Sequence, residues 1–382
     1  MRRITVLLAA LALLLFLCGQ GGAEKVITLT FTGDCTLGTD EATRRASDSF
    51  DSVAKAKGYS YFFADFHDIF AQDDCTVVNF EGVLTDSSYG QVKDKTFCYR
   101  GPEEFADILR EGSVEAVSLA NDHSKDYGGD GLLNTMRVLE ETGIGWAREE
   151  NLFIFEKDGI RIAFAAVDYN IFQRSNYLIR DRLLKMQKDG EISAAVMLIH
   201  EGKEYSPKHL GRQDEFSEYF INTAGADLVI MHHPRVLQGI RILNNRSVFY
   251  SLGTFVFGGK NKVSRGESGT NSLYTLVVQA RMHFSDDGIY TGQQIILYPA
   301  YASGADPKNN YQPVRITAEQ AAPVWEAIQY DTEWILPSLQ ADENGKAYAI
   351  MDYLPAEDGR AEGTGPEEGE PEAAPLQPDR NR

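Results

Sequence analysis

The chain lacks any Cys-x-x-Cys pair, and one of its four cysteines, Cys18, lies in an apolar N-terminal run. Cys35, Cys75 and Cys98 remain. An odd count excludes a disulfide framework, and the missing pair argues against a thiolate zinc site. A single bridge, Cys75 to Cys98, stays open for an exported chain. Cys35 follows Asp34 directly and reads as a small core residue. Long apolar runs are also scarce. The one present, residues 4–18, follows Arg2 and Arg3 and precedes Gly19-Gln20-Gly21-Gly22-Ala23. It falls short of the roughly 20 residues that a membrane-crossing helix needs. Its flanks are those of a secretory leader, with cleavage expected at Gly21-Gly22-Ala23. Basic residues are in deficit, 37 Lys and Arg against 56 Asp and Glu, for a net charge of −19. That balance argues against nucleic acid and anionic lipid as partners. It suits an exported, soluble, cation-binding protein.

The residues after Leu354 are rich in Glu, Pro, Gly and Ala and nearly devoid of large apolar side chains. They read as a disordered acidic tail. The sequence therefore divides into a leader (1–23), a body (24–354) and a tail (355–382). Within the body, short apolar runs at 26–31, 76–80, 116–120, 160–167, 194–199 and 227–231 predict strands buried on both faces. Helical patterns at 103–110, 131–142 and 213–223 alternate with them. In the second, Leu132, Leu133, Met136 and Leu139 form the apolar stripe, Asp130 is the expected N-cap and Gly143 the stop. Tyr59, Tyr61, Phe62, Phe63, Phe66 and Phe70 predict a helix packed on the sheet. This alternation predicts a mainly parallel sheet. From Ile240 onward, strands at 240–243, 248–252, 272–280 and 289–297 predict a second, more antiparallel sheet. A helix is expected over 318–336, carrying Trp325 and Trp334.

Five of the apolar runs end in side chains that bind metals. Gly33-Asp34 closes the first, and Asn79-Phe80-Glu81-Gly82 the second. Asn121-Asp122-His123, His200 and His232-His233 close the others. Ligands in α/β proteins gather at such strand ends. Asp, Glu, Asn and His without thiolate suit manganese, iron, zinc or magnesium. Asp122 reads as a ligand beside an acid–base histidine, His123, whose ring Asp126 would orient. The two-residue strand period puts Asn79 beside Glu81, and a buried Asn of this kind often orients its neighbours. The chemistry expected is metal-assisted hydrolysis, with His123 protonating the leaving group.

Taken in order, Gly33-Asp34, Asn79-Phe80-Glu81-Gly82, Ala120-Asn121-Asp122-His123 with Asp126-Tyr127-Gly128, His200-Glu201-Gly202-Lys203-Glu204-Tyr205, Met231-His232-His233-Pro234-Arg235-Val236-Leu237-Gln238-Gly239 and Tyr250-Ser251-Leu252-Gly253-Thr254-Phe255 resemble the CapA family. That family is associated with capsule and poly-γ-glutamate synthesis and is similar in fold to the calcineurin-like metallophosphoesterases. The resemblance implies a four-layer α/β/β/α sandwich, an exported or membrane-anchored protein and a divalent metal. It maps Asp34, Glu81, Asp122, His200 and one or both of His232 and His233 to metal ligands, and His123 to the acid–base histidine. Asn79, Asn121, Glu204, Tyr205 and Arg235 complete the candidate set as substrate contacts. The implied partners are an anionic surface polymer or its precursor and membrane proteins of capsule synthesis. The chain departs from the family pattern at Asp122 (usually Asn), Glu201 (usually Trp), Thr254 (usually Asn) and, above all, Arg235 (usually His). Arginine does not ligate metals. Either fewer metals bind, or Arg235 holds a substrate anion, or catalysis is lost.

Overall fold

The structure is a computed structural model and describes residues 24–259, 271–306 and 308–356. The expected leader and the tail beyond Ala356 lie outside the described residues. Among the described residues, no helix is long and apolar enough to cross a membrane.

Most strands fall into two sheets packed face to face, and a small third sheet joins Thr39–Asp40, Tyr99–Gly101 and Val83–Leu84. In the first, β1 (Lys25–Cys35), β2 (Cys75–Phe80), β3 (Ala116–Ser118) and β4 (Gly145–Ala147) pair in parallel in that order. The chain then crosses to the second sheet, made of β5 (Phe153–Lys157), β6 (Ile160–Asp168), β7 (Ala194–His200), β8 (Leu228–His232), β9 (Ile240–Leu243) and β10 (Arg246–Phe249). Its order is β9-β10-β8-β7-β6-β5, with the four central strands parallel and the two edges antiparallel. Finally β11 (Tyr274–Phe284) returns to the first sheet antiparallel to β1, and β12 (Tyr290–Tyr301) and β13 (Ala347–Ile350) extend it. Parallel and antiparallel pairings are both present, as expected, but the change of texture at Ile240 is not the boundary between sheets. Strand–helix alternation reports parallel crossovers and does not say which sheet receives each strand.

Helices α1 (Phe50–Lys57), α2 (Ala106–Glu111) and α3 (Gly128–Thr142) cover the first sheet, and α4 (Tyr169–Lys188) and α5 (Gly211–Ala224) cover the second. The result is the four-layer α/β/β/α arrangement. Asp168 starts α4 by accepting a hydrogen bond from the Ile171 amide at 2.8 Å, and left-handed glycines stop α3 (Gly143, φ 81°) and α5 (Gly225, φ 68°). In α3 the stripe is narrower than expected, since Leu133 is 65% exposed. Tyr127 holds the cap position, and Asp130 sits in the first turn, where its charge still favours the helix dipole.

The core between the sheets joins side chains of both, with the Phe31 and Phe164 rings 6.4 Å apart. The aromatic segment 59–70 is core, but only His67–Phe70 is α-helical within it. Its phenylalanines gather around Phe255 in a short irregular stretch. Helix α6 (Ala318–Gln329) ends seven residues earlier than expected. The Gln329 amide donates to the Thr332 and Trp334 carbonyls and folds the chain back, so Trp334 reaches the Ile240 carbonyl from outside the helix. Cys35, Cys75 and Cys98 are buried and free, so the Cys75–Cys98 bridge is not formed. Leu354–Pro355 pairs with β12, so the ordered body reaches slightly past Leu354.

Candidate metal centre and acid–base site

Parallel strands bring their C-terminal ends to one side of each sheet, and the two sheets stack with those ends facing. Asp34 is in register with Asn79, and Asn79 with Ser118. Across the gap, His200 is in register with His232 and Asp168. The polar cluster therefore lies between two sheet edges, not along one. Direct approaches cross it: Asn79 Nδ2 is 3.3 Å from His200 Nδ1, and His232 Nδ1 is 3.3 Å from Asp34 Oδ1.

Local backbone fixes the donors. A Cβ on Gly33 would come within 2.3 Å of the Gly253 carbonyl oxygen, so only glycine lets that segment lie against β1. The Asp34 amide then donates to Gly253 O at 3.0 Å, and the Phe255 amide donates to Asp34 O at 2.8 Å. Beyond β8, His233 (φ 101°) and Arg235 (φ 62°) adopt left-handed backbone that costs non-glycine residues on the order of 1–3 kcal/mol each. This turn brings Arg235 back into the cluster.

One part of the cluster gathers three ligating side chains. Ligand atoms of Asp122, His200 and His233 all lie within 4.8 Å of one another. His233 Nδ1 is 3.1 Å from His200 Nε2 and 3.3 Å from Asp122 Oδ2. Burial, reinforced by His233, pushes His200 far below the usual imidazole range, so it is neutral, the form that ligates. Burial would raise half-exposed Asp122, but His200, His233 and His123 hold it down at about 2. Two neutral-capable imidazoles and a carboxylate fit a divalent cation.

The other part combines committed and uncommitted atoms. Asp34 is fully buried; Asn79 Nδ2 donates to its Oδ1 at 2.8 Å, while Asp34 Oδ2 and His232 Nδ1 make no hydrogen bond among the described residues. Burial would raise Asp34, but His232, Arg235 and His200 outweigh it and hold the group well below the carboxylate range. Both oxygens of Glu81 are occupied. Arg235 donates from Nη1 to Oε2 and from Nη2 to Oε1, each at 2.7 Å, and from Nε to Glu204 Oε1 at 2.9 Å. Its guanidinium lies 4.7 Å from the centre of the Phe257 ring. Burial works against the charge on Arg235, and Glu81 and Asp34 more than restore it.

The candidate acid–base group centres on His123. Asp126 Oδ2 lies 2.7 Å from His123 Nδ1 and accepts the Tyr99 amide at 2.6 Å, while Oδ1 accepts Lys95 Nζ at 2.7 Å. With Nδ1–H donated to Asp126, Nε2 is left on the Glu81 side, 3.8 Å from Oε1. The Tyr99 ring packs 4.4 Å from the imidazole. Asn121 orients this group: its Oδ1 accepts the His123 amide at 3.2 Å, and its Nδ2 donates to Asn79 Oδ1 and Phe80 O. Asn79 and Asn121 thus spend their amides inside the site and are buried. Glu204 and Tyr205 stand on the loop after β7, Glu204 against Arg235 and the Tyr205 amide donating to Pro234 O at 2.8 Å. Lys95, Tyr99 and Phe257 were not among the sequence candidates. Lys95 stands in a polar stretch, Tyr99 and Phe257 close short apolar runs without offering a ligand atom, and only the folded chain brings the three to the site.

The same loop is anchored by His209. Its Nδ1 lies 3.0 Å from both oxygens of Asp331, its Nε2 3.2 Å from Asp214 Oδ2, and its ring stacks on Tyr250 at 4.0 Å. Asp214 also meets Arg241 and the Tyr250 hydroxyl. The bond to Asp331 raises His209 above its ordinary value against the effect of burial. A raised folded value gives stability that is complete below the unfolded pKa of about 6.5 and is lost as pH rises through the folded value. The melting-temperature gap between wild type and His209→Gln is therefore expected to be widest near pH 6 and to shrink in alkali. A gap independent of pH in thermal melts would refute the clamp.

Fold and site together define a two-sheet α/β protein with a buried carboxylate–histidine centre at facing strand ends. The chain belongs to the bacterial capsule synthesis protein family PGA_cap, whose sequence model matches residues 28–259. Among curated relatives, it is 28% identical over 258 residues to the capsule biosynthesis protein CapA of Bacillus anthracis, covering 61% of this chain and 60% of that one. It is 25% identical over 256 residues to the PGA biosynthesis protein CapA of Bacillus subtilis, covering 62% and 64%. The chain thus spans less than two thirds of the length of these two relatives. Solved structures that are similar include a hypothetical protein from Thermus thermophilus (TM-score 0.43, 15% identity, 72% of this chain and 99% of that one). Another is the calcineurin-like phosphoesterase YfkN from Bacillus subtilis (TM-score 0.40, 13% identity, 70% and 88%). These scores are low, and the architecture above rests on the strand pairings alone.

Proposed function

We propose that this chain acts outside the cytoplasm in the synthesis, release or attachment of an anionic surface polymer such as poly-γ-glutamate, as a metal-assisted hydrolase. The observation that carries the reading is the convergent Asp122–His200–His233 trio beside the His123–Asp126 pair. A divalent cation held by that trio (manganese, zinc, iron or magnesium) would supply Lewis acidity toward a phosphoryl or carbonyl oxygen. His123 would carry the proton at Nε2, with Asp126 holding Nδ1 and Lys95 balancing the charge of Asp126. Family membership supports the polymer, and the leader-like residues 1–23 support export; membrane proteins of capsule synthesis are the natural partners.

Purified chain incubated with poly-γ-glutamate and with phosphodiesters should cleave one of them when manganese is present and stop when a chelator is added. No cleavage of either, with manganese bound, would remove the hydrolase. A second reading is then favoured by the Arg235–Glu81 pair, which takes a carboxylate out of service. In that reading the protein binds or assembles the polymer without cutting it, and polymer retention without cleavage would establish it.

A further inference from the structure

We propose that the Arg235 guanidinium is a built-in cation that fills the second half of the centre, so that the chain holds a single divalent ion at Asp122, His200 and His233. The inference rests on the metal reading above and sharpens it to a number of ions and a residue that sets it.

The donors of the cluster divide into two groups that Glu81 joins. On one side are Asp122, His200 and His233, with Glu81 Oε1 3.6 Å from His200 Nε2. On the other are Asp34 and His232, whose buried Oδ2 and Nδ1 make no hydrogen bond among the described residues, Nδ1 lying 3.3 Å from Asp34 Oδ1. Two orphaned ligand atoms beside a carboxylate would ordinarily mark a second ion. Here the guanidinium stands at that place. It takes both Glu81 oxygens at 2.7 Å and lies 4.0 Å from Asp34 Oδ2. It is 4% exposed, and Phe257 closes its face. A second metal would have to draw on Glu81 oxygens that are already hydrogen-bonded to a group that does not deprotonate.

Charge agrees with geometry. Asp34, Glu81 and Glu204 lie against the one guanidinium, and Asp122 adds a carboxylate beside His233. Asp126 is matched by Lys95. The uncompensated negative charge accommodates one divalent ion; a second beside Arg235 would leave the buried cluster positive. Arg235 is thus the positioning residue for Glu81 and the determinant of ion count. Its replacement by histidine removes the competing cation and adds an imidazole beside Asp34, Glu81 and His232.

Manganese titration of the purified chain, read by bound metal after gel filtration and by electron paramagnetic resonance, tests this. Wild type should bind about one ion per chain with the signal of an isolated ion, and His233→Ala should bind essentially none. Arg235→His should bind about two ions with the broadened signal of a spin-coupled pair. Two ions in wild type overturn the inference and leave the metal reading standing. So does a folded Arg235→His chain that stays at one. No manganese in wild type overturns both. Should Arg235→His not fold, the wild-type count and its signal still decide.

Discussion

Glu81→Ala is expected to destabilise the protein by about 3–5 kcal/mol, the cost of leaving a buried charge without its partner. That is a large share of the roughly 5–15 kcal/mol by which domains are typically stable. The reason lies with Arg235 more than with Glu81. The guanidinium is 4% exposed and makes two of its three carboxylate bonds to Glu81. Glu204 would remain, but its side chain is half-exposed, and Asp34 Oδ2 is 4.0 Å away. A buried lysine could escape by losing its proton; an arginine cannot. Removing both partners should be far milder. The Glu81→Ala, Arg235→Met pair deletes the charge together with its counter-charge, and the methionine still packs against Phe257. Urea unfolding in the presence of a chelator measures the difference free of metal. A single-variant loss below about 1 kcal/mol would mean that the pair behaves as a surface ion pair and not as a buried one.

The strand ends were legible because strands buried on both faces write themselves as unbroken apolar runs, and a polar residue at the end of such a run stands out. Asp34, Glu81, Asp122, His200, His232 and His233 all lie at the facing sheet ends, and the His123–Asp126 contact follows from three residues of local chain. Which sheet receives each run was not legible. Phe164 and Val229 are apolar for burial against helices on one side and the opposite sheet on the other, and either sheet would satisfy them. The division of the ligands was hidden for a different reason. Arg235 stood out in sequence as a misfit at a ligand position, with three readings open. Only the fold shows its donors turned onto Glu81 and Glu204. Lys95 and Tyr99 come from residues 86–99, with no long regular element and no periodicity to mark them.

His123→Ala is expected to lower metal-dependent hydrolysis by about 10²–10⁴-fold, the usual contribution of a positioned acid or base. The count of bound manganese should not change, because the imidazole is no part of the Asp122–His200–His233 trio. A loss of activity that came with a loss of metal would make His123 a ligand and not a proton carrier. Asp126→Asn separates holding the ring from carrying the proton. It keeps the shape and removes the carboxylate at 2.7 Å from Nδ1, so kcat should fall while KM stays near wild type. Lys95→Met tests the electrostatics. Its ammonium lies 3.2 Å from His123 Nδ1 and 2.7 Å from Asp126 Oδ1. Without the ammonium, Asp126 Oδ1 loses its ion-pair partner beside the ring, so kcat should fall while the manganese count stays at wild type. A purely structural lysine would lower the melting temperature and leave kcat of the folded chain unchanged. The combination of a deep fall for His123→Ala with kcat effects for Asp126→Asn and Lys95→Met, manganese being retained in all three, is what a proton-transfer group at this site requires. An unchanged rate in His123→Ala would remove the hydrolytic chemistry from this histidine altogether.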